Sequence, residues 1–220
     1  MTLSLELKNL DKIEQQINKT LSFEINKRTK RNTGRVIREL KALVRGWIEQ
    51  SPEMMSLEAQ GVPGSLNAAF GLPPGMPGMA VAAISNAVAE SLDISIQKVN
   101  NKLEGNITFN FVNSSFATLL GLPQGFQQTE YGTDLHWLDW LLTKGDAIIV
   151  QGFEYEPSNG GRSGGGSMKI GGYFKVPSTF SGTPVDNFIT RAFQGKEKQI
   201  SAVLNKFLVS IWVLQNTTCR

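Results

Sequence analysis

The most definite chemistry in this chain is cationic. Arg31, Arg35, Arg38 and Arg45 recur at helical spacing, flanked by Lys27, Arg28, Lys30 and Lys41, with Glu39 the carboxylate among them. That spacing places the arginines on one helix face. Such a face can contact phosphates without sequence preference, dock an acidic protein surface, or stand in solvent. With so few local carboxylates, intrahelical ion pairs neutralise little of it.

Other reactive side chains are sparse. His136 adjoins Trp137 and lies one turn before Asp139, within reach of a His–Asp hydrogen bond, but the pair lacks a nucleophile and forms no triad. A packed or interfacial histidine is the simpler reading, with Trp137 and Trp140 as aromatic interface candidates. Glu130, Asp134 and Asp139 supply carboxylates that nothing in the sequence gathers around a cleft. The glycine-rich run at 157–167 has no Gly-x-x-x-x-Gly-Lys-Ser/Thr and precedes a strand pattern, so it does not read as a phosphate loop. His136 and Cys219 are the only His and Cys, which excludes an internal disulfide and a Cys/His zinc site. No catalytic, cofactor-binding or metal-binding residue is expected.

The elements that carry these groups follow from hydrophobic period. Leu10, Ile13, Ile17, Leu21 and Ile25, then Ile37, Leu40, Val44 and Trp47, predict a helix over 10–49, with a kink or break near Asn32-Thr33-Gly34. Ser51-Pro52 ends it. Residues 51–79 hold too many Pro and Gly for a central strand, though short helical turns fit 53–58 and 66–70. The small residues of 79–91 suit a buried helix. Ile94, Ile96 and Val99, then Ile107, Phe109 and Phe111, alternate as two strands joined through Lys102–Gly105. Residues 134–142 read as an amphipathic helix capped by Thr133 or Asp134. Strands at 147–155 and 168–176 flank the glycine-rich run as a hairpin. The end is helical, at 185–193 and 196–212, with Ile200, Val203, Leu204, Phe207 and Ile211 on one face. The predicted class is α+β: long N-terminal and C-terminal helices packed on an antiparallel sheet, with a long flexible Gly-rich hairpin.

At 220 residues one domain spanning 1–220 is expected, carrying a Pro/Gly-rich insertion at about 51–79 and the flexible hairpin at about 157–167. A chain this long buries roughly 70% of its unfolded surface, so its core needs no staples. The net charge of +3 conceals segregation. Residues 1–45 hold eleven Lys/Arg against five Asp/Glu, residues 46–160 three against twelve, and residues 161–220 eight against two. The basic ends can meet the acidic middle within a subunit or between neighbours. The start lacks a basic segment followed by an apolar core, so no signal peptide is expected. No apolar run is long enough to span a bilayer, and a cytoplasmic setting is expected.

Three stretches together resemble the tail-completion and neck proteins of tailed bacteriophages. They are Ser51-Pro52-Glu53-Met54-Met55-Ser56-Leu57 with the Leu66–Pro73 run, then Tyr131 through Leu142, then Arg162-Ser163-Gly164 with Met168, Val176–Thr183 and Asp186–Phe193. The resemblance implies a non-enzymatic subunit of the virion neck, assembled in the host cytoplasm into a homo-oligomeric ring. Its implied partners are other neck, portal-side or tail proteins, with transient contact to packaged DNA and none to membrane. The candidate interface residues are Arg31, Arg35, Arg38, Arg45, Trp137, Trp140, Arg162 and Arg191. The alternative is a DNA-binding protein using the 27–45 face.

Overall fold

The fold, a computed structural model, describes residues 9–110, 116–128, 132, 134–161 and 164–212. It is α+β. Helix α1 (Leu10–Glu49) leads to α2 (Pro52–Glu58), α3 (Leu66–Phe70) and α4 (Met76–Glu90). Strands β1 (Asp93–Gln97) and β2 (Asn106–Asn110) follow, then α5 (Ala117–Leu120), a 3-10 turn at Pro123–Gly125, β3 (Gln127–Gln128), β4 (Asp134–Leu135) and α6 (Trp137–Leu142). The chain continues through β5 (Val150–Glu156), β6 (Ser167–Phe174), α7 (Phe188–Phe193) and α8 (Glu197–Trp212).

One reading changes. The antiparallel pairing forms three separate ribbons, β1–β2, β3–β4 and β5–β6, in place of one sheet among the described residues. The chain divides into two compact units, each built from non-contiguous segments. The first comprises 1–40, 93–110 and 197–220; the second comprises 41–92 and 111–196. Hydrophobic period marks elements, but not which distant elements share a core.

In the first unit, Ile25, Val36 and Leu40 of α1 and Val203, Phe207 and Ile211 of α8 are buried. The break expected near Gly34 does not form. Packing of Val36 and Leu40 outweighs the roughly 1 kcal/mol that glycine costs in a helix. Ile94 pairs with Phe109 and Ile96 with Ile107 across the β1–β2 ribbon. Asn26 ties this hairpin to α1: its amide nitrogen donates to the Val99 carbonyl at 2.9 Å, and its oxygen accepts from the Val99 N–H at 2.8 Å. Asn26→Ala leaves both backbone groups unpaired and is expected to cost about 1–3 kcal/mol. A lower urea midpoint with faster amide exchange at Val99 checks this; unchanged exchange there would refute it.

The second unit holds the larger core: Met54, Leu57, Leu66, Phe70, Ile84, Trp137, Leu141, Val176 and Phe188 are buried. Ser51 caps α2, and Ser65 caps α3 through the Ala68 N–H at 3.2 Å. The expected small-residue helix is α4, starting slightly earlier and burying Ala80, Val81, Ile84, Val88 and Ala89. The glycine-rich connection follows β5 as expected. Its described ends are seated: Tyr155 Oη donates to the Gly165 carbonyl at 2.7 Å and accepts from the Gly64 N–H at 3.0 Å. A Cβ at Gly165 would lie 2.6 Å from Ala68 Cβ and one at Gly166 2.5 Å from the Tyr155 ring. These glycines permit close approach.

Candidate interaction surfaces

A face of α1 flanking its buried side is continuous and changes character along its length. Leu10, Ile13, Ile17 and Leu21, then Glu24, Arg28, Arg31, Arg35 and Arg38, follow one another at intervals of three and four residues. The first four are 61%, 43%, 52% and 43% exposed. Sequence period used them to mark the helix, and the structure leaves them uncovered: burial on α1 begins only at Ser22 and Ile25. Period alone identifies an apolar stripe without naming what covers it.

Glu24 and Arg28 mark the change. Arg28 Nε donates to Glu24 Oε1 at 3.0 Å, and this hydrogen bond, with the charges of Lys27 and Arg28, holds the Glu24 carboxyl below its ordinary range. Beyond it, Lys27, Lys30, Arg31, Arg35 and Arg38 are exposed and make no ion pair among the described residues. Arg45 continues the spacing, likewise exposed and unpaired there, on the part of α1 assigned to the second unit. Lys41 is paired with Glu90, and Glu39 with Lys206 at 3.5 Å. The stripe arginines are exposed, and Glu39, the carboxylate read among them, is turned to Lys206.

The remaining candidates divide. Trp137 is completely buried, its ring 5.7 Å from Phe70, so it is a core residue and the interface reading of it is withdrawn. Trp140 is half-buried. Arg191 is committed internally: it donates to the buried Glu53 carboxylate at 2.7 Å and to Asp186 at 3.2 Å. Arg162 lies outside the described residues. His136 is exposed, precedes α6 and has its ring 5.3 Å from Phe126. The Asp139 carboxylate bonds Thr143 and lies 3.5 Å from Lys144, and among the described residues it makes no bond to the His136 ring. The helix expected over 134–142 begins at Trp137, because Asp134–Leu135 pairs with Gln127–Gln128 instead. Glu130 and Cys219 lie outside the described residues. Among the described residues no three His, Cys, Asp or Glu side chains group to hold a metal ion, and no helix is long and apolar enough to cross a membrane.

Sequence reasoning missed two features. The β5–β6 ribbon exposes Phe153, Met168, Ile170 and Tyr173, with Ile170 84% exposed; the alternation was legible, but its uncovered state was not. The second is convergence, within the second unit, of the three stretches quoted above for the resemblance. Glu53 of the first meets Arg191 of the third, and the Gly182 N–H of the third donates to the Trp140 carbonyl of the second at 3.0 Å. Asn187 caps α7 with a reciprocal Thr190 bond while fully buried. The residues that carry the resemblance thus hold the unit together. No protein-family model, curated protein or solved structure matches the chain.

Proposed function

We propose that this protein is a structural, non-catalytic subunit of a tailed-bacteriophage virion, part of the neck ring that joins the DNA-filled head to the tail. The supporting observation is the amount of association-prone surface a single copy leaves uncovered: the aliphatic and arginine segments of α1 and the apolar β5–β6 ribbon. Contiguous exposed apolar surface marks interaction sites, and unpaired cations suit an acidic neighbour. The phage-like stretches supply the assignment to the neck. Its partners are then further copies of itself and adjoining neck, portal-side or tail proteins, assembled in the host cytoplasm.

Negative-stain microscopy of the protein mixed with tail tubes or DNA-filled heads tests this reading. Rings or added density at the head–tail joint are expected; absence from both particles would overturn it. Arg35→Glu with Arg38→Glu is expected to abolish joining while leaving the fold intact, because both side chains are exposed and make no ion pair among the described residues. Full joining by the double variant would remove the arginine stripe from the proposal.

The unpaired cations also favour a second reading, direct contact with double-stranded DNA. It requires log K to fall against log salt with a slope between about −3 and −4 if four arginines each neutralise one phosphate. No binding at low salt would eliminate it.

A further inference from the structure

We infer that copies of this chain associate head to tail, with the aliphatic ridge at the start of α1 seated in an apolar groove of the next copy's first unit. The inference rests on the assembly reading above and is independent of the phage assignment.

The ridge is Leu10, Ile13, Ile17 and Leu21. No residue from Leu10 to Leu21 is buried. Four aliphatic side chains left exposed along one stripe of three turns form a contiguous apolar surface of the kind that marks an interaction site. Asp11 and Glu14 are balanced by Lys12 and Lys19, so the ridge carries no net charge to restrict its partner.

The groove has complementary character. It is a cavity of about 170 Å³ in the first unit, with Ile25, Ile96, Ile107, Leu208, Ile211 and Trp212 among its lining and no charged side chain. A cavity of roughly 150 Å³ holds a benzene-sized apolar group, so there is room for one aliphatic side chain. Leu208 and Trp212 are 41% and 61% exposed, which leaves apolar surface to receive the rest of the ridge.

The ridge cannot enter its own groove. Helix α1 is continuous, and at 1.5 Å per residue Ile17 and Leu10 lie roughly 12 and 22 Å along the axis from Ile25. They also point roughly 60–80° away from it. Both halves of one contact are therefore present on a single chain and are separated by a rigid element, which makes a second copy the fitting occupant. Ridge and groove are different surfaces, so the contact is heterologous and propagates to a closed ring or an open chain instead of stopping at a twofold dimer.

The test uses the full chain and two variants whose altered residues are exposed. The ridge variant carries Leu10→Ser, Ile13→Ser and Ile17→Ser; the groove variant carries Leu208→Glu and Trp212→Glu. Circular dichroism verifies their folds, and sedimentation velocity measures association. The wild-type chain is expected to oligomerise with concentration. Each variant alone is expected to associate at least about a hundredfold more weakly. An equimolar mixture is expected to stop at a one-to-one heterodimer, joining the intact ridge of one variant to the intact groove of the other. A monomeric wild type, self-association by either variant alone, or a mixture that stays monomeric would overturn the inference. If the protein joins heads to tails yet is monomeric alone, this interface fails while the neck reading stands. If it forms these rings but ignores both particles, the reverse holds.

Discussion

Arg191→Ala is expected to destabilise the second unit by about 3 kcal/mol, toward the lower end of the range for breaking a buried ion pair. The reason is asymmetry between the partners. The Glu53 side chain is 2% exposed, and its Oε1 accepts from Arg191 at 2.7 Å. Glu53 Oε2 is buried with no partner among the described residues. Removing the guanidinium leaves a carboxylate in the interior with its charge uncompensated. The Arg191 side chain is 29% exposed, so water reduces the penalty. Asp186, bonded to the same arginine at 3.2 Å, has a side chain 65% exposed; Asp186→Ala is therefore expected to change stability by less than about 1 kcal/mol. Replacing both members of the buried pair by apolar residues of similar size, Glu53→Leu with Arg191→Met, is expected to recover most of the loss. Urea unfolding of the four proteins measures this. Equal losses for Arg191→Ala and Asp186→Ala would show that the buried carboxylate is not the source.

Much of the fold was legible because local chemistry agrees with the observed elements. The aliphatic period marks α1, Ser51-Pro52 ends it, and the alternation around Lys102–Gly105 marks the β1–β2 hairpin. What was illegible depends on distance or on cover. Glu53 and Arg191 are 138 residues apart, and neither position carries a local sign that the other is its partner. The stripe from Leu10 to Leu21 has the same pattern as a buried face, yet a single chain leaves it bare. Trp137 and Trp140 looked alike as interface aromatics. One helical turn separates their environments, because Trp137 points to Phe70 while Trp140 remains half-buried. The arginine stripe was the part of the candidate site read most directly, since long charged side chains with few nearby carboxylates generally remain in solvent. Assigning it an occupant requires knowing the neighbouring surface, and that information is not contained in the spacing of arginines.

Gly182→Ala is expected to be severely damaging to the second unit, with a loss above about 4 kcal/mol. A Cβ at this position would fall 1.8 Å from the Leu141 carbonyl oxygen, 2.5 Å from its carbon and 2.9 Å from Asn187 Cβ. The first two are backbone atoms at the end of α6, so no side-chain rotation relieves the clash. The residue is also hydrogen-bonded on both sides: its N–H donates to the Trp140 carbonyl at 3.0 Å, and its carbonyl accepts from the Gly145 N–H at 2.8 Å. Moving Gly182 aside would therefore break the link between α6 and the segment before α7 and disturb the buried Asn187 cap. Gly78→Ala is the matched control. It lies within α4 with no atom within 4 Å of its added Cβ, and helix propensity there favours alanine by about 1 kcal/mol. Denaturant unfolding followed by tryptophan fluorescence should place the two variants on opposite sides of wild type. A Gly182→Ala protein of wild-type stability would mean that α6 and the segment before α7 separate at little cost. The convergence of those stretches would then have to be explained by something other than packing.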